Sequence, residues 1–359
     1  MTLPRTFVIA EAGVNHNGSL DLGKKLIDVA AESGADAVKF QTFKANRMIG
    51  RHAAKAEYQK ETTGFTESQF EMLRRLELDE AGHSALIDHT RQCGITFLST
   101  PFDSESVDFL VNQLDLPIIK IPSGEVTNGP LLLKIGQTGR RVILSTGMST
   151  LEEVELALGA LAFGYLGCIG PSPEGFRRVL AEGHAALRER VSLLHCTSEY
   201  PAPYEEVNLR AMDTLGHAFG LPVGLSDHSL GIAVPIAAVA RGATIIEKHF
   251  TTDRKLPGPD HRASLEPAEL KSMVEAIRQI EAALGDGRKA PTAGESKNAL
   301  VARKSLVAAC KIRKGELLDG QNITAKRPGG GISPMEYWSS LGRPADRDYE
   351  PDDLLSQFR

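Results

Sequence analysis

Two histidines on what read as neighbouring strands, His228 and His249, have the spacing to share a metal ion. His228 closes the run Gly224-Leu225-Ser226-Asp227-His228, and His249 stands at the end of an apolar run that begins at Ala243. The alanine-rich residues 230–242 between them suit a helix, so the segment reads as strand–helix–strand with a histidine at the carboxyl end of each strand. Adjacent strands lie about 4.8 Å apart, which lets side chains at their ends converge on one ion at a bond length of about 2.1 Å. Either histidine alone is as readily a buried or capping residue. Together, with Asp260 soon after, they point to a divalent metal.

Other chemistry-bearing residues gather at strand ends as well. In order these ends deliver Glu11, Lys39 with Gln41, Thr100, Lys120 with Ser123 and Glu125, Ser145, Ser198, Ser226 with His228, and His249. A charge inside an apolar strand is costly unless it is paired or serves a site. Lys39 and Lys120, ringed by hydroxyls, suggest a pocket for a small dianion such as a phosphate ester, with lysine as a point-charge anion binder. Glu125 is a candidate third metal ligand, directly or through water. A mixed nitrogen and oxygen shell suits manganese, with magnesium or cobalt as alternatives.

The elements that must position these groups follow from the apolar patterning. Strand-like runs at 6–12, 37–42, 95–100, 118–123, 142–146, 191–197, 223–227 and 243–250 alternate with helical periodicity at 20–33, 67–93, 105–114, 130–138 and 151–163. A further connection at 164–190 reads as a loop before a helix. Strands separated by helices pair in parallel. Eight such units over about 250 residues make a closed (β/α)8 TIM barrel, whose strand carboxyl ends form the active face. An open doubly wound sheet predicts a glycine-rich dinucleotide turn after the first strand, and Gly13-Val14-Asn15-His16-Asn17-Gly18 lacks that spacing. Residues 1–285 therefore read as the barrel, 286–300 as a polar linker and 301–359 as a small β-rich domain.

The 359 residues carry a net charge of −5, which gives no basic footprint for nucleic acid. No apolar run approaches the roughly 20 residues a membrane helix needs. The four cysteines are scattered, fitting a reducing compartment, and the first residues lead straight into a strand, with no room for a signal peptide. The expectation is a cytoplasmic protein.

Many motifs in one order resemble the sialic acid synthase family, including the legionaminic acid synthases. They include Glu11-Ala12-Gly13-Val14-Asn15-His16-Asn17-Gly18, Lys39-Phe40-Gln41-Thr42, Ser99-Thr100-Pro101-Phe102, Lys120-Ile121-Pro122-Ser123-Gly124-Glu125, His195-Cys196-Thr197-Ser198-Glu199-Tyr200-Pro201 and Glu247-Lys248-His249-Phe250. The tail, with Lys326-Arg327-Pro328-Gly329, resembles the antifreeze-like (SAF) domain that ends those enzymes. The resemblance implies condensation of phosphoenolpyruvate with N-acetylmannosamine or a related N-acetylated hexosamine, giving a nonulosonic acid and phosphate. It implies phosphoenolpyruvate contacts at Lys39, Thr100, Lys120, Ser123, Ser145, Ser198 and Ser226, where Ser198 replaces an asparagine common in relatives. It further implies metal ligation by His228 and His249, and roles for Glu11, Gln41, Glu125, Tyr200 and Asp260 in holding sugar hydroxyls or moving protons. Arg327 matches an arginine that a partner subunit lends to the site, which implies a domain-exchanged homodimer.

Three rival readings make different demands. Synthases of eight- and seven-carbon sugar acids need a second cationic pocket for a phosphorylated sugar and lack this tail. A metal-dependent aldolase has no use for the paired lysines. An ice- or carbohydrate-binding tail needs a flat array of threonines, and the tail has only Thr324.

Overall fold

The computed structural model describes residues 5–50, 53, 55 and 68–357. Eight parallel strands, β1 (Phe7–Gly13), β2 (Ala37–Thr42), β3 (Thr96–Pro101), β4 (Ile118–Ile121), β5 (Arg141–Ser145), β6 (Val191–Cys196), β7 (Val223–Asp227) and β8 (Ile245–His249), form one sheet. Its order is β3-β2-β1-β8-β7-β6-β5-β4. Pairing of β1 with β8 brings the first and last strands together, and β3 lies beside β4 at the seam. This is the TIM-type barrel that alternating strands and helices require.

The period of two along each strand sorts side chains into an inner and an outer set. Outward residues such as Val8, Val38, Phe97, Leu144 and Ile246 join the main core beneath the helices. Inward residues are stacked in layers. Ile9, Ala37, Leu98, Ile143, Leu194 and Ile245 fill the floor as one apolar cluster. Two residues further along the same strands stand Glu11, Lys39, Thr100, Ser145, Cys196 and Glu247, so the next layer is polar and charged. An apolar floor under a charged layer places the polar chemistry at the carboxyl-terminal end of the barrel.

Gly224 lets β7 approach β8 closely: a Cβ there would lie 2.2 Å from the Ile245 carbonyl oxygen and 2.8 Å from Leu194 Cδ2. Gly224→Ala is therefore expected to cost at least the ~1–3 kcal/mol typical of overpacking, because the obstacle is backbone. Gly216→Ala is the control. Gly216 lies within the helix Ala211–Phe219, and its Cβ would meet nothing closer than 3.7 Å. That variant should gain roughly 0.5–1 kcal/mol from helix propensity. Denaturant midpoints check both.

The helices depart from the pattern read from sequence at several points. The single helix expected over 67–93 is two, Gln69–Arg75 and Glu80–Cys93, with Glu67 outside the described residues. Ser68 with Glu71 caps the first, and Asp79 accepts from the Gly82 amide to start the second. The stretch expected over 105–114 begins as Ser104–Asp108 and widens into a π-helical turn over Phe109–Gln113. The helix between β7 and β8 shrinks to Ala233–Ala240. Pro173–Arg190 is a full extra helix on Leu151–Tyr165, with Phe163 and Phe176 edge to face at 5.4 Å.

The chain divides into two compact units, one through Asp286 and one from Gly287. Within the second, part of the span expected as linker is the helix Ala293–Ala302, started by the Thr292–Glu295 capping box and with no buried residue. β9 (Ser305–Ala308) and β10 (Ile323–Lys326) pair antiparallel over a small core that includes Leu306, Ile312, Leu318 and Tyr349. Among the described residues no helix is long and apolar enough to cross a membrane.

Candidate active site

The barrel mouth holds a cavity of about 350 Å³. Glu11, Lys39, Gln41, Thr100, Lys120, Ser123, Ser145, Ser198, Tyr200, Ser226, His228, His249 and Asp260 all line it, together with Cys196 and Glu247. Strand register explains the meeting. Glu11 of β1 faces Lys39 of β2 on one side and His249 of β8 on the other, and Ser226 of β7 faces Glu247.

The two lysines do not stand as bare cations. Lys39 Nζ lies 2.9 Å from Glu11 Oε2 and 3.7 Å from Glu247 Oε2, and it donates to Thr100 Oγ1 at 3.0 Å. Lys120 Nζ donates to Ser145 Oγ at 2.7 Å and lies 3.4 Å from Glu247 Oε1. Ser226 Oγ donates to that same oxygen at 2.9 Å. The lysines brought to the mouth therefore stand beside two carboxylates, Glu11 and Glu247. Burying ions of one sign alone would be prohibitive, and the carboxylates supply the balance.

The shared burial pulls the acids apart. Desolvation pushes Glu11 up from 4.5 to about 7 against the pull of Lys39, with Glu247 adding to the rise. Glu247 also suffers desolvation, but Lys120 and Lys39 outweigh it and hold the carboxylate at about 2. Desolvation pulls Lys39 down, yet Glu11 and Glu247 leave it raised overall. Lys120 is lowered, burial outweighing Glu247. Asp260, buried at the rim, rises to about 6 against the pull of His228.

The histidines lie where β7 and β8 deliver them, their ring centroids 5.5 Å apart. Tyr200 covers both, at 4.1 Å from the His228 ring and edge-on to His249 at 5.6 Å. His228 Nδ1 lies 2.6 Å from the Thr197 carbonyl oxygen, which can only accept. The proton is therefore on Nδ1, leaving Nε2 as the donor atom for a metal. Burial, with His228 and Lys39 nearby, holds His249 well below its ordinary value, so it is neutral at pH 7. Its Nδ1 is buried without a hydrogen-bond partner. A neutral, under-partnered imidazole beside a second one of fixed tautomer fits a divalent ion. Behind them, Lys248 pairs with Asp227 and donates to the Ser229 carbonyl, fixing the backbone next to each histidine.

The sequence profile of the NeuB family matches residues 26–289 and that of the SAF domain residues 303–357. The chain belongs to the NeuB family. An N,N'-diacetyllegionaminic acid synthase of Campylobacter jejuni is 52% identical over 99% of this chain and 100% of its own length. Another, from Legionella pneumophila, is 46% identical over 94% of this chain and 89% of that one. Among solved structures, an N-acetylneuraminic acid synthetase from Leptospira borgpetersenii is 34% identical with a TM-score of 0.66, covering 82% of this chain and 90% of that one.

One expected site residue of this NeuB-family chain lies elsewhere. Glu125 does not line the cavity: the turn Ser123–Glu125 carries it past the strand end, where its carboxylate accepts from Asn128 Nδ2 at 2.6 Å. Arg327 is exposed immediately after β10, in the second unit. Glu247 is the residue that reading only the last position of each strand passes over. Its signal was the period of two, which puts Glu247 and His249 on one face of β8.

Proposed function

We propose that the chain condenses phosphoenolpyruvate with 2,4-diacetamido-2,4,6-trideoxymannose, giving N,N'-diacetyllegionaminic acid and phosphate, with N-acetylmannosamine as the second reading for the sugar. The observation that carries the condensation is the meeting, in one cavity, of a lysine–hydroxyl floor and two metal-competent histidines. The choice of sugar rests on the likeness to two legionaminic acid synthases over nearly the whole chain.

Lys39 and Lys120, with the hydroxyls of Thr100, Ser123, Ser145, Ser198 and Ser226, hold the carboxylate and phosphate of phosphoenolpyruvate. Ser123 Oγ accepts from the Gly147 amide at 2.9 Å, which holds this hydroxyl at the cavity wall. His228 and His249 would hold a divalent ion, manganese by preference, which would supply Lewis-acid polarisation of the open-chain sugar aldehyde. The enolpyruvate methylene carbon attacks that aldehyde. Water adds at the carbon bearing the phosphate, and the carbon–oxygen bond breaks to release phosphate. Glu11, with its affinity for a proton near neutrality, and Asp260 are the groups able to take or give protons as the aldehyde oxygen becomes a hydroxyl and water is deprotonated. Gln41 and Tyr200 hold sugar hydroxyls. Glu125, turned to Asn128, is left out of this scheme.

Phosphate release measured across the diacetamido sugar, N-acetylmannosamine and its 6-phosphate tests the reading. Preference for N-acetylmannosamine would reverse the order of the two sugars, and no phosphate release with any of them would remove the condensation itself. Glu11 adds a pH signature. An arriving anion raises its pKa further, so phosphoenolpyruvate binding should take up a proton, and affinity should weaken as pH rises through about 7 and Glu11 ionises. Calorimetry in buffers of different ionisation enthalpy checks the uptake, and Glu11→Gln should abolish it.

The enzyme works in the cytoplasm as a domain-exchanged homodimer in which Arg327 of one chain serves the barrel of the other. Subunit mixing tests this. Arg327→Ala and His249→Ala chains, each inactive alone, should regain activity together, and mixed dimers without activity would refute the shared site.

A further inference from the structure

The helices Leu20–Glu32 and Glu80–Cys93 pack side by side outside the barrel. Each offers a pair of metal-binding side chains four residues apart, Asp28 with Glu32 and His89 with Cys93, and that spacing puts each pair on one helix face. Donor atoms of Asp28, His89 and Cys93 all lie within 4.8 Å of one another. Cys93 Sγ is 3.5 Å from Asp28 Oδ1, and His89 Nε2 is 2.7 Å from the same oxygen. A tetrahedral zinc ion with bonds of about 2.0–2.3 Å separates its ligands by roughly 3.3–3.7 Å. The sulfur–oxygen distance is already right, and the histidine–carboxylate hydrogen bond must open by only a few tenths of an ångström. The side chains of His89 and Asp28 are 22% and 47% exposed, so an ion can enter from solvent.

A second observation points the same way. Glu32 and Cys93 are the last residues of their helices, so two helix carboxyl termini, each with partial negative charge, converge on this spot. Helices of a parallel barrel run back against the strands, which puts these termini at the end opposite the barrel mouth.

We propose that Asp28, His89 and Cys93 form a site for a zinc-like divalent cation that ties these two helices together, separate from the catalytic mouth. The mixed sulfur, nitrogen and oxygen donors favour a borderline ion over magnesium or calcium. Binding displaces the thiol proton of Cys93 to solvent.

Cobalt is the probe, because a cobalt–thiolate bond gives a charge-transfer absorption that oxygen and nitrogen ligands do not. Titration of the full chain with Co2+ should produce that band in the wild type and in Cys196→Ser, and not in Cys93→Ser. His89→Gln should bind the thiolate-reported ion at least about tenfold more weakly. Retained turnover in Cys93→Ser and His89→Gln shows that they are folded, and circular dichroism serves the same end if turnover falls. No band in the wild type overturns the proposal, as does a band that survives in Cys93→Ser or is lost in Cys196→Ser.

Discussion

Replacing His249 with alanine should abolish metal binding and turnover together while leaving the barrel folded. The fold is expected to survive because the charged layer beneath His249 is held by its own pairs, Lys39 with Glu11 and Lys120 with Ser145. The ring itself contributes no hydrogen bond through its buried Nδ1, so little structural energy is lost with it. Removing a partner that merely orients a ligand costs about 10- to 100-fold in metal affinity, and removing the ligand should cost more. Asp227→Asn supplies the comparison. Asp227 pairs with Lys248 and accepts from both the Ser229 amide and its hydroxyl, so it acts on the histidines only through the chain beside them. That variant should fall within the outer-shell range. Metal content after dialysis reads both effects directly, and chelation followed by manganese should abolish and restore activity in the wild type. A His249→Ala enzyme that keeps its metal would remove the histidine from the site.

Much of this site was legible because the barrel turns one-dimensional spacing into three-dimensional position. A residue at a strand end in sequence is at the mouth in space, so Lys39, Thr100, Lys120, Ser145, Ser226, His228 and His249 could be brought together without coordinates. The failures have equally local causes. Glu125 lies four residues beyond β4, in a turn whose geometry no strand period fixes, and Asn128 captures it. Glu247 shares its layer with Lys39 and Thr100 but sits two residues before the end of β8, where a reading that stops at His249 does not look. The pairing of Lys39 with Glu247 is long range, joining residues more than two hundred positions apart through the closure of β1 on β8. The break in the helix over 67–93 is a competition between periodicity and capping: Asp79 captures the Gly82 amide and starts a new helix. Nothing in the sequence joins Asp28 to His89 and Cys93, because their meeting depends on two helices packing side by side.

Glu247→Gln should destabilise the unliganded enzyme by about 3–5 kcal/mol, the usual cost of breaking a buried ion pair from one side, and should make the protein depend more on its anion. Among the described residues Glu247 is the one carboxylate that touches both lysines, and it remains ionised far below neutrality. The amide keeps the side chain's shape and can still accept from Ser226, so packing is preserved and the loss is electrostatic. Lys120 then lies beside Lys39 without its main counter-ion. Burial already holds Lys120 below its ordinary value, and losing Glu247 lowers it further. In that state the unfolded chain binds more protons than the folded one, from the lowered Lys120 value up to its ordinary 10.5. Stability of the variant should therefore rise with pH across that window more steeply than in the wild type. Phosphoenolpyruvate should repair the same defect, because its charges take the place of the missing carboxylate. An occupied site at about 100 times Kd contributes roughly 2.7 kcal/mol in any protein. The variant should show a larger ligand-induced rise in Tm than the wild type at equal ligand concentration, since its Kd is tighter. Turnover should fall even so, because a lysine pair that grips the anion more firmly also grips the departing phosphate. Thermal melts with and without phosphoenolpyruvate at two pH values separate these effects. Equal melting temperatures and equal ligand shifts in the two proteins would mean that Glu247 does not hold the lysines in balance.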